Sequence, residues 1–94
     1  MIRGFDDPET ELIWSGCRSR KLPPDIQAVA LRKLRLLNQA RVLNDLRVPP
    51  GNRVEALRGD RLGQHSIRID DQWRICFVWI EGGPSDVTIV DYHD

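Results

Sequence analysis

The spacing of apolar positions changes character once along the chain, near residue 50. Ahead of that point Ile26, Val29, Ala30, Leu34 and Leu37 recur at helical spacing, while Gln27, Arg32, Lys33 and Arg35 are predicted to face away. Pro23, Pro24 and Asp25 open this helix, which is predicted to break near Asn38 and to resume briefly through Val42, Leu43 and Leu46. A shorter helix precedes it, started by Asp6, Asp7 and a first-turn Pro8 and running to about Gly16. Pro49, Pro50, Gly51 and Asn52 then end helical structure.

Beyond Asn52 the pattern alternates, which predicts strands joined by turns. The strands run from Arg53 to Leu57, from His65 to Ile69, from Trp73 to Ile80 and from Asp86 to Tyr92. Gly59 to Gly63, Asp70 with Asp71, and Gly82 to Pro84 form the connections. Three short connections in succession imply an antiparallel meander. The expected fold class is therefore α+β: two N-terminal helices on one face of a four-stranded, mainly antiparallel sheet, in a single domain over residues 1–94.

Alternation assigns Trp73, Ile75, Phe77, Trp79, Ile67, Ile69, Val87 and Ile89 to the helix-packed face. His65 falls on that side as a core or boundary residue. On the opposite face, a turn centred on Asp71 places Arg68 across from Arg74, and a turn centred on Gly83 places Arg74 across from Tyr92. The predicted result is a row of Arg68, Arg74 and Tyr92 across the open face.

Composition narrows the class. Ninety-four residues at 40% apolar and 30% charged content suit one small core, because a chain of this size buries only roughly 60 to 65% of its unfolded surface. The zero net charge shows no overall basic excess of the kind nucleic-acid binding proteins carry, yet Arg47, Arg53, Arg58, Arg61 and Arg68 recur with only Glu55 and Asp60 among the acidic residues between them. Arginine outnumbers lysine, and a planar guanidinium matches phosphate geometry better than an ammonium. Cys17 and Cys76 are far apart with neither metal-ligand nor redox spacing, so reduced thiols are expected. No apolar run approaches a membrane span, and the acidic start of the chain does not resemble a signal peptide, which together place the protein in the cytoplasm.

Two arginines beside a tyrosine attract a phosphate and offer a ring for a base. Asp91 and His93 stand next to Tyr92; a histidine trades protons near neutral pH and a carboxylate orients it. These are ingredients for cleaving RNA through its own 2′-hydroxyl, with no metal or other cofactor in the scheme. No nucleophile motif, glycine-rich phosphate loop or zinc spacing competes with them.

Several segments taken together are specific: Met1-Ile2-Arg3 with Phe5, Pro50-Gly51-Asn52-Arg53, Leu57-Arg58-Gly59-Asp60-Arg61, His65-Ser66-Ile67-Arg68-Ile69, Gln72-Trp73-Arg74-Ile75 with Phe77, and Val90-Asp91-Tyr92-His93. Through them the chain resembles the HigB-type toxins, the plasmid-maintenance killer branch of the RelE/ParE superfamily, essentially from Met1 to His93. The resemblance implies a RelE-like fold and an endoribonuclease that cuts messenger RNA in the ribosomal A site. It also implies silencing by a HigA-like helix-turn-helix antitoxin, with operator DNA contacted only through that antitoxin.

Carried over residue by residue, the resemblance makes Asp91, Tyr92 and His93 functional, with Arg58 as the basic residue before the Gly-Asp-Arg loop and Arg74 as the arginine after the tryptophan. Glu55 stands where some relatives have a histidine, so the general base is open between Glu55 and His93, and the general acid between His93 and Tyr92. Arg53, Arg61 and Arg68 are assigned to RNA binding. Two rival readings keep the fold: a ParE-like inhibitor of DNA gyrase, and a non-catalytic RNA-binding domain.

Overall fold

A computed structural model describes residues 1–92 of the chain, and His93 lies outside the described residues. Helix α1 spans Pro8–Trp14 and α2 spans Pro24–Gln39, followed by 3-10 turns at Leu43–Arg47 and Pro50–Asn52. Strands β1 (Glu55–Ala56), β2 (His65–Arg68), β3 (Trp73–Ile80) and β4 (Gly83–Asp91) form one antiparallel sheet in the order β1-β2-β3-β4. The expected α+β architecture is present, with both helices on one face of the sheet.

Seven residues make a marginal helix in isolation, so α1 depends on its cap and its packing. Asp7 caps it by accepting from the Thr10 backbone N–H at 3.1 Å and from the Thr10 hydroxyl at 2.6 Å. The Thr10 hydroxyl oxygen in turn accepts from the Ile89 N–H at 2.9 Å, and the Thr88 hydroxyl donates to Asp7 at 2.8 Å. Cap and sheet are thus one network. Helix α2 buries Ile26, Ala30, Leu34 and Leu37 against Ile67, Ile75, Phe77, Val87 and Ile89, with Trp73 and Trp79 at the margin.

Two side chains of α2 depart from the predicted polar face. Gln27 turns inward to bridge the Ser19 and Leu22 carbonyls at 2.8 and 2.9 Å, which ties down the α1–α2 connection. Lys33 is buried, whereas Arg32 and Arg35 are exposed as expected.

The sheet differs from expectation at both ends of its chain path. Strand β1 is two residues rather than five; ahead of it, Arg53 takes a left-handed conformation (φ 45°, ψ 62°) that keeps the extended run from beginning there. Strand β4 begins at Gly83, so the hairpin turn is Glu81–Gly82 rather than Gly82 to Pro84. Gly83 must be glycine: a Cβ there would lie 2.2 Å from the Met1 carbonyl oxygen. The chain start packs this closely because residues 3–6 run parallel to β4, with Arg3 N–H donating to Pro84 O at 2.7 Å and Asp6 N–H to Val87 O at 2.9 Å. That segment covers the β4 edge, which would otherwise expose unpaired backbone groups.

Candidate RNA-binding basin

The meander brings the start of β1, the end of β2, the start of β3 and the end of β4 to the same end of the sheet. There Arg53, Glu55, Arg68, Asp70, Asp71, Arg74 and Tyr92 line a polar basin of about 150 Å³. Arg68 lies directly across from Arg74, as predicted. Arg74 is opposite Val90 rather than Tyr92, because the turn lies earlier than predicted and a bulge between Cys76 and Val78 recovers only part of the offset. The net slip from Tyr92 to Val90 preserves alternation, so Tyr92 still reaches the basin.

Arg74 forms its floor. The residue is 8% exposed, so it is not the open-face cation that alternation suggests. Its Nε donates to Ser66 Oγ at 2.7 Å, and its Nη2 donates to the Arg53 carbonyl and to Ser66 O at 3.4 Å. The Glu55 carboxylate stands 4.0 Å away, with its side chain half exposed. A guanidinium held this way is fixed before any ligand arrives, which is the condition for stabilising charge that develops in a reaction.

The rim is less uniformly positive than the sequence suggests. Arg68 is paired with Asp71, which is almost fully exposed, and Asp70 adds another carboxylate. Asp70 also shapes the turn, accepting from the Gln72 and Trp73 N–H groups at 2.9 and 2.7 Å. Gln72 then holds the end of β4: its Nε2 donates to Asp91 Oδ2 at 3.1 Å and its carbonyl accepts from the Tyr92 N–H at 2.8 Å. Asp91 lies opposite Trp73 and outside the basin lining.

Arg58 and Arg61 do not line the basin. Arg58 precedes the 3-10 turn Gly59–Arg61 and is exposed; Arg61 is half-buried and donates to Gln64 Oε1 at 3.1 Å. Arg61 lies close enough to act on buried Cys76, whose thiol burial pushes up while Arg61 and Arg74 partly oppose the shift. His65 is on the helix-facing side, its ring stacked near Phe77 at 6.4 Å, and its buried Nδ1 has no hydrogen-bond partner among the described residues. It faces a separate cleft with Leu43, Asn44, Arg47, Val54 and Ala56, away from the basin.

Sequence reasoning missed the residues that hold the basin from beneath. Ser66, Asn52 and Lys33 are each buried, and Lys33 Nζ donates to Asn52 Oδ1 at 2.5 Å. Burial lowers the Lys33 pKa from its ordinary value, with the neighbouring charges of Arg32 and Arg68 adding to the effect. A hydrophilic residue amid the polar positions of α2 carries no sign that it will be buried. Among the described residues, no cluster of histidine, cysteine, aspartate and glutamate could hold a metal ion, and no helix is long and apolar enough to cross a membrane.

Two helices laid on an antiparallel meander form an α+β fold consistent with that of RelE-like toxins. The chain belongs to the HigB family: residues 6–93 match the family model described as the RelE-like toxin of type II toxin-antitoxin system HigB. It is 45% identical over 65 residues to Toxin HigB-1 of Vibrio cholerae serotype O1, covering 69% of this chain and 68% of that protein. It is also 35% identical over 57 residues to an uncharacterized protein of Haemophilus influenzae, covering 61% and 56% of the two chains. Membership in a type II toxin-antitoxin family implies an antitoxin partner.

Proposed function

We propose that this toxin is an endoribonuclease that cuts messenger RNA in the ribosomal A site and so inhibits translation. Family membership supports the class, and the observation that carries the chemistry is the fixed Arg74 guanidinium with Glu55 at 4.0 Å and Tyr92 in the same basin. RNA strand cleavage through the 2′-hydroxyl needs a base for that proton, positive charge on the crowded phosphorane and an acid for the leaving oxygen. Glu55 or His93 takes the 2′-hydroxyl proton as O2′ attacks phosphorus. Arg74 stabilises the phosphorane, and His93 or Tyr92 protonates O5′ as the P–O5′ bond breaks. Asp91 positions His93.

Arg53 and Arg68 contact the flanking phosphates from the rim. Arg58 and Arg61, beyond the basin, grip the RNA backbone further along the flanking strand. The ribosome supplies orientation of the messenger that a shallow basin lacks. The antitoxin partner is a HigA-like helix-turn-helix protein, and operator DNA is reached only through it. The products identify the reaction: a 2′,3′-cyclic phosphate and a 5′-hydroxyl are expected, and a messenger with a single 2′-deoxynucleotide at the cut position should resist cleavage there. Cleavage of that 2′-deoxy position would contradict the scheme.

A further inference from the structure

We propose that Lys33 is a positioning residue for the basin: through Asn52 it fixes the left-handed Arg53, and through the Arg53 carbonyl it fixes the guanidinium of Arg74. The proposal rests on the RNA-cleaving reading for its effect on catalysis, and on the geometry alone for the linkage itself.

Lys33 is 8% exposed, and Asn52, which accepts its ammonium, is fully buried. An ammonium in that place is unfavourable for stability alone, since an apolar side chain of similar volume avoids desolvating a charge. The Asn52 side chain is held on both sides, its Nδ2 donating to Leu46 O at 3.0 Å and Val48 O at 3.5 Å while its Oδ1 receives Lys33. The next residue, Arg53, adopts φ 45°, a conformation uncommon for any residue but glycine and kept only when its surroundings enforce it. Its carbonyl accepts from Arg74 Nη2, and its side chain lines the basin. The path from α2 to the reacting centre is therefore Lys33, Asn52, Arg53, Arg74, each link a hydrogen bond or a peptide bond. With Lys33 removed, Asn52 loses a partner, Arg53 is free to relax toward the extended region, and the Arg53 carbonyl leaves Arg74. The burial that lowers the Lys33 pKa also keeps solvent from competing for this contact.

The test uses the full-length toxin carrying Lys33→Met, alone and combined with Asn52→Ala, at a temperature well below every unfolding midpoint. Two readouts are taken: the Arg74 Nε–H resonance, assigned by its loss in Arg74→Lys, and kcat and KM for messenger cleavage on ribosomes. The expected result is a shifted or broadened Arg74 resonance and a kcat reduced about tenfold to a hundredfold, as sub-ångström to ångström misplacement of a reacting group produces. KM should change far less, and Lys33→Met should add little in the Asn52→Ala background, because both changes break one path. Lys33→Gln, which keeps a donor toward Asn52, should recover part of the kcat and replaces Lys33→Met in the cycle if the latter does not fold. An unmoved Arg74 resonance in a folded variant overturns the proposal, as do equal fold-losses in the two Asn52 backgrounds. If the wild-type toxin cleaves nothing, the RNA-cleaving reading fails by itself and the Arg74 resonance alone decides the linkage.

Discussion

Arg68 and Arg74 face one another across the β2–β3 ladder, yet their guanidiniums are held in opposite ways. Arg74 is buried on Ser66 and the Arg53 carbonyl, while Arg68 reaches the surface and pairs with Asp71. The first is built into the fold and the second is exchangeable, and the proposed function accordingly gives the inner arginine the reacting phosphate and the outer one a phosphate that arrives with the RNA.

Replacing Arg74 by alanine should damage both stability and activity. The Ser66 hydroxyl and the Arg53 carbonyl lose their donor, and a buried polar group left without a partner costs about 1–3 kcal/mol. Arg74→Lys keeps the charge but not the fork, and should retain most of the stability while losing most of the cleavage. Urea denaturation and cleavage assays on the two variants separate these effects; equal cleavage by Arg74→Lys and wild type would remove Arg74 from the chemistry.

Under the proposed function, Asp71 competes with phosphate for Arg68. An exposed pair of this kind is worth about 0–1 kcal/mol, so RNA displaces it readily. Asp71→Asn should therefore tighten RNA binding a few-fold, and it should steepen the salt dependence by less than about one released counterion per site. Binding isotherms over a salt series provide the check, and unchanged affinity would mean that Arg68 does not meet phosphate.

Lys33 makes stability depend on pH in a direction that can be worked out. Its pKa is below 10.5 in the folded protein and ordinary in the unfolded chain, so between the two values the unfolded state binds more protons. Stability contributed by this residue is complete above 10.5 and is lost as pH falls through the lowered folded value. Relative to Lys33→Met, the wild-type protein should gain stability as pH rises toward 10.5. Denaturation of both proteins across that alkaline range would show the converging curves, and parallel curves would contradict the burial of the ammonium.

The two thiols should differ in reactivity. Cys17 is exposed, whereas Cys76 is fully buried with its thiol pushed up and so kept protonated. Iodoacetamide should label Cys17 alone in the native protein and both cysteines in denaturant, as read by mass spectrometry.

Much of this fold is legible in the sequence because its signals are local. The helical spacing of Ile26 to Leu37 and the alternation of Trp73 to Ile80 each describe one element packed on one core. The Arg68–Arg74 pairing is legible because the turn at Asp70 and Asp71 is symmetric. The Arg74–Tyr92 pairing is not, since it depends on a two-residue turn and a bulge that no single residue announces. The floor of the basin is hidden for a different reason. The burial of Arg74 and Lys33 follows from a left-handed residue at 53, where the sequence has arginine rather than glycine, and from contacts between segments far apart in the chain. The closing Asp91-Tyr92-His93 shows acid–base groups in the sequence itself, but its assignment as a functional segment rests on the resemblance to the family, and His93 lies outside the described residues.

The most direct test of ribosome-dependent cleavage is to map RNA ends on a defined messenger incubated with the purified toxin, with and without programmed ribosomes, beside the His93→Ala and Glu55→Gln proteins. The account predicts cuts within A-site codons that require ribosomes, lost or strongly slowed when the residue acting as base is replaced. Cleavage that is indifferent to ribosomes, or intact messenger under conditions in which a related HigB toxin cuts, would contradict it.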